Sequence, residues 1–83
     1  MNITINEEIL KELAYMVELH QQYGAPANMG SVESLVNYVL ASVADGSRRP
    51  GAWERQMLEM LGLVAECREH RTYRPDYGRP GNA

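Results

Sequence analysis

The side chains in this chain that could do chemistry begin with Glu66, Cys67 and His70. Cys67 and His70 are three residues apart and Glu66 and His70 four apart, so on a helix each pair shares a face and could start a metal site. A closed structural zinc site takes about four ligands, and only His20 offers another imidazole. The residues therefore read as a small apolar cysteine beside a surface histidine, with no metal and no cofactor. A Cys-His nucleophilic pair needs a third group to orient the histidine and donors for an oxyanion, and neither is evident. The sequence has no glycine-rich phosphate loop, Gly-x-Ser-x-Gly elbow, His-Glu-x-x-His or paired-cysteine motif. The expectation is a protein that is not an enzyme.

The arginines are the second group with chemical potential. Residues 1–45 carry six carboxylates against Lys11 alone, a balance of −5, while residues 46–83 carry seven arginines against five carboxylates, a balance of +2. The net charge of −3 makes a poor generic polyanion binder, so any nucleic-acid contact must be local and arginine-based. The segment from Arg71 to Arg79, with Tyr73 and Tyr77, could stack on bases or grip phosphates. It could equally thread a protein groove or remain a solvated tail. Trp53 reads as a core anchor, with an exposed partner-binding role as the alternative. Met16, Met57 and Met60 read as core filler.

These residues must be positioned by helices. Ser31 to Val43 is the clearest: Val32, Leu35, Val36, Val39, Leu40 and Val43 recur at steps of three and four, with Ser31 as cap, Glu33 in the first turn and Asp45-Gly46 as the stop. An earlier helix runs from a cap at Asn6 to about Gln22, with Ile9, Leu10, Leu13, Met16, Val17 and His20 on its stripe. Gly24 and Pro26 break the chain between the two. After a second break at Gly46–Gly51, a third helix is predicted from about 52 to 69 on Trp53, Met57, Met60, Leu61 and Val64, with Gly62 weakening its middle. Before all of them, Met1, Ile3 and Ile5 alternate with Asn2 and Thr4, the period of a short strand.

Strand, cap, helix, glycine turn and apolar helix, in that order over about residues 1–46, resemble the ribbon-helix-helix DNA-binding family. The segments carrying the resemblance are Met1-Asn2-Ile3-Thr4-Ile5-Asn6-Glu7-Glu8-Ile9-Leu10-Lys11-Glu12-Leu13 and Gly30-Ser31-Val32-Glu33-Ser34-Leu35-Val36-Asn37-Tyr38-Val39-Leu40. The resemblance implies a mainly α homodimer whose paired N-terminal strands form an antiparallel ribbon in the major groove. Asn2 and Thr4 would then face base edges, and the amides of Gly30, Ser31 and Val32 would hold a phosphate. Arg48 and Arg49, just past the second helix, would add local positive charge.

The whole is expected to be one domain over residues 1–70, with the third helix as an extra core element and an extended or disordered tail from 71 to 83. At 83 residues the chain has a limited core, which favours self-association. A single cysteine permits no internal disulfide and suits a reducing cytoplasm. No apolar run approaches the roughly 20 residues that span a bilayer. The expected function is a small transcriptional regulator reading a palindromic site. The alternative is an all-helical module that binds another protein through its third helix or tail, without DNA.

Overall fold

The computed structural model describes residues 1–74, and residues 75–83 lie outside the described part, including most of the expected tail. Four helices follow one another: α1 (Glu7–Tyr23), α2 (Val32–Gly46), α3 (Trp53–Met60) and the single turn α4 (Arg68–Arg71). The chain divides into two compact units, Met1–Val39 and Leu40–Ala83, with α2 running across the boundary.

In the first unit, local chemistry sets both helix starts. Asn6 accepts the Glu8 N–H at 2.8 Å, satisfying one of the donors that a helix start leaves free, and Glu7 and Glu8 sit where the dipole favours carboxylates. Ser31 does the same for α2: its Oγ accepts the Ser34 N–H at 3.1 Å and donates to Ser34 Oγ at 3.0 Å. Gly24, at φ 80°, ends α1 in a conformation that disfavours any side chain, and its N–H bonds back to the His20 carbonyl at 2.8 Å. The connector is then tied to α1 twice. Met29 N–H donates to His20 Nδ1 at 3.1 Å, and Gln21 Nε2 donates to the Met29 carbonyl at 3.3 Å.

The N-terminal strand does not form, which corrects the ribbon-helix-helix expectation. Among the described residues there is no strand, and the architecture is all-helical. Residues 1–6 have no regular structure, and Asn2 and Thr4 are exposed alongside Met1 and Ile3. The alternation therefore does not separate an inner face from an outer one: Ile3 is 68% exposed, and of the three apolar positions only Ile5 is partly covered. Three apolar residues are too little to hold an extended segment whose backbone groups water can satisfy equally well.

In the second unit, α3 is shorter than its pattern predicts and turned the other way. Gly62, at φ 74°, is a stop and not a weak helix interior. Leu63 N–H reaches the Leu58 carbonyl at 2.9 Å and Gly62 N–H the Glu59 carbonyl at 3.1 Å, the paired bonds of a Schellman terminus. The buried residues of α3 are Arg55 and Leu58, on the side opposite Trp53 and Met60. Trp53 is 67% exposed and Met60 88%, so neither is the core anchor or filler that the stripe suggests.

Candidate interaction surfaces and an arginine cluster

The described residues bury little apolar surface fully. Among the described residues only Leu35 and Leu58 form the buried hydrophobic set. The α2 stripe explains why. Val32, Val36 and Val43 are half-buried, while Val39 and Leu40 of the same face stand 48% and 52% exposed. The result is an open seam with one carboxylate at its edge: Glu33 stands three residues before Val36 and seven before Leu40, while Asp45 lies on the opposite side of α2. On α1 the exposed apolar side chains Ile9, Met16 and Tyr23 recur every seven residues, but Glu12 lies among them and Glu8 and Glu18 lie nearby.

The residues that DNA recognition would need are dispersed. Asn2 and Thr4 lie in the irregular N-terminus. Gly30, Ser31 and Val32 do stand at the start of α2, but the Ser34 amide there is already taken by Ser31. Arg48 and Arg49 belong to the second unit, where both are half-buried and, among the described residues, only Arg49 has an acidic partner, Asp45 at 3.1 Å.

Around Arg48 and Arg49 the structure brings two distant arginine segments together. His70 Nε2 meets Ser47 Oγ at 3.0 Å, Arg74 N–H donates to the Arg48 carbonyl at 3.3 Å, and the Arg49 guanidinium lies 5.8 Å from the Tyr73 ring centre. His70 Nδ1 accepts the Ala65 N–H at 3.0 Å, so the geometry assigns the neutral imidazole its proton on Nε2, which then donates to Ser47. Both histidines of the chain thus spend Nδ1 on a backbone amide. The sequence pairs Cys67 with His70 for a metal, but no group of three metal-ligating side chains occurs among the described residues, and Cys67 is an exposed thiol.

Arg55 was not singled out by the sequence. Its side chain is almost wholly buried, with Nη1 donating to the Ser47 carbonyl at 2.8 Å and Nε 3.3 Å from Glu59 Oε1. The Nε contact is an ion pair whose alignment falls short of a hydrogen bond. Arg55 also lines an open cavity of about 480 Å³ with Glu59, Gly62, Val64, Glu66 and Arg71. Two guanidiniums and two carboxylates leave that cavity without a preferred charge.

No described helix is long and apolar enough to cross a membrane. Comparison with family models, curated proteins and solved structures gives no match. The functional reading therefore rests on the surfaces themselves.

Proposed function

We propose that the chain is a small, non-catalytic helical interaction module that works as a homodimer joined along α2. The observation that carries this reading is the open seam of Val32, Val36, Val39, Leu40 and Val43, half covered and bordered by a single carboxylate, Glu33. A second copy is the occupant it fits best. Apart from Glu33 at its N-terminal edge the seam is apolar, so it can pair with itself about a two-fold axis with few like charges set together. The acidic α1 cannot do this as cheaply, because two copies would bring Glu8, Glu12 and Glu18 into one interface. Covering a half-open valine or leucine gains about 1 kcal/mol. Val39 and Leu40 are such positions in each chain, and Val32, Val36 and Val43, already mostly covered, add less, so the gain only just meets the several kcal/mol that association costs and favours a weak, reversible dimer.

Sedimentation of the full chain over a concentration series tests this. The expected result is a mass rising from one chain toward two. A single-chain mass throughout, with helical circular dichroism retained, would remove the seam as an interface. A second reading has its own observation: Trp53 and Met60 stand exposed on the outer face of α3, the residue types that anchor heterologous partners. Trp53→Ala should leave the dimer mass unchanged while lowering affinity for such a partner by at least tenfold.

A further inference from the structure

We infer that the arginine cluster of the second unit is a phosphate-binding patch that grips a nucleic-acid backbone without reading base identity. The juxtaposition that supports it is not visible along the chain. Asp45, Arg48 and Arg49 come from the end of α2 and the turn after it, whereas Arg68, Arg71 and Arg74 come from α4 and its exit. The Ser47–His70 bond, the Arg74–Arg48 backbone bond and the Arg49–Tyr73 contact tie the two segments into one surface. The contacts bring Arg48, Arg49 and Arg74 together against Asp45, three positive charges to one negative, in a chain whose net charge is −3.

Two of these arginines each carry one guanidinium nitrogen that has no acceptor among the described residues. Arg49 has Asp45, and Arg71 shares its cavity with Glu59 and Glu66. Arg48 and Arg74 have no ion pair among the described residues, and the Nη1 atom of each is shielded from solvent with no hydrogen-bond partner. A guanidinium donor removed from water and left unpaired is costly. Both side chains are only part-buried, so an oxyanion can meet the open side of each guanidinium, whose planar fork matches phosphate oxygens. Phosphate contacts of this kind position a protein on nucleic acid and carry no base information. The inference does not require the α2 dimer, since every group in the patch comes from one chain.

The test is fluorescence anisotropy of a labelled DNA duplex and of its isolated strand, titrated with the full 83-residue chain at several salt concentrations. Two to three phosphate contacts predict an affinity that falls about ten- to forty-fold between about 50 and 200 mM salt. The Arg48→Gln/Arg74→Gln variant should lose at least tenfold at low salt and flatten the salt slope, while Lys11→Gln should change neither. Should that variant fail to fold, arginine side-chain NMR on the unaltered protein decides: the Nε–H signals of Arg48 and Arg74 must shift on adding DNA. Equal binding by duplex and strand keeps the patch and assigns it to backbone charge alone. Absence of binding at low salt, binding unchanged in the double variant, or binding to anionic lipid vesicles without binding to DNA would overturn the inference.

Discussion

Arg55 is the residue on which the second unit turns. A charged side chain is buried there because Nη1 satisfies the Ser47 carbonyl just beyond α2, an acceptor that would otherwise be left open beside the second unit's buried residues. Removing it should cost about 2 to 3 kcal/mol, the scale of a hydrogen bond made by a charged donor. Glu59 is 57% exposed, so its ion pair with Arg55 is screened and contributes little. Urea unfolding should therefore show Arg55→Ala strongly destabilised and Glu59→Gln within about 1 kcal/mol of the parent. Equal losses in the two variants would mean that the ion pair holds Arg55 in place. Gly46 makes a parallel case. A Cβ there would stand 2.5 Å from Glu54 Cβ, an atom fixed by its own backbone. Alanine normally favours a helix by about 1 kcal/mol over glycine, yet here overpacking should win and Gly46→Ala should lower stability by about 1 to 3 kcal/mol. A melting temperature above the parent's would show that the α3 start can retreat.

At the scale of elements, what could be read in the sequence follows how local each determinant is. α1 and α2 were legible because Asn6, Gly24 and Ser31 act within three or four residues of themselves, and the observed caps use those side chains. The strand failed because Met1, Ile3 and Ile5 supply a period and no surface to cover it. α3 departs from its pattern in two ways. Gly62 closes the helix at positive φ, a backbone choice that spacing of apolar residues does not reveal. The helix also rotates its apolar stripe outward, because Arg55 must reach a carbonyl eight residues back. Gly62→Ala should therefore destabilise by about 1 to 2 kcal/mol, the usual cost of a side chain in the left-handed region, where a mid-helix glycine would have gained from the change. The connector before α2 offers another check. His20→Ala should lose about 1 kcal/mol and speed hydrogen exchange at the Met29 amide, while His20→Asn, which keeps an acceptor near Nδ1, should restore much of the protection.

For the whole molecule, the proposed self-association has its motive in the sequence, in the chain's size and apolar stripes, but the face proposed for it does not come from there. The ribbon placed the two-fold axis on residues 1–5, whereas the exposed surface points to α2. The arginine patch was half legible. Arg48 and Arg49 stood out as a pair, but their companions reach them only through contacts to His70, Tyr73 and Arg74 that form when the chain folds. Val39→Asp would set a carboxylate into the seam on both chains, so sedimentation should show it as a single chain at concentrations where the parent pairs.

The most direct test of the α2 homodimer is isotope-filtered NMR on an equal mixture of labelled and unlabelled chains. The account predicts cross-chain contacts among the methyl groups of Val36, Val39, Leu40 and Val43. Contacts confined within single chains, or cross-chain contacts only at α1 or at Trp53, would contradict it.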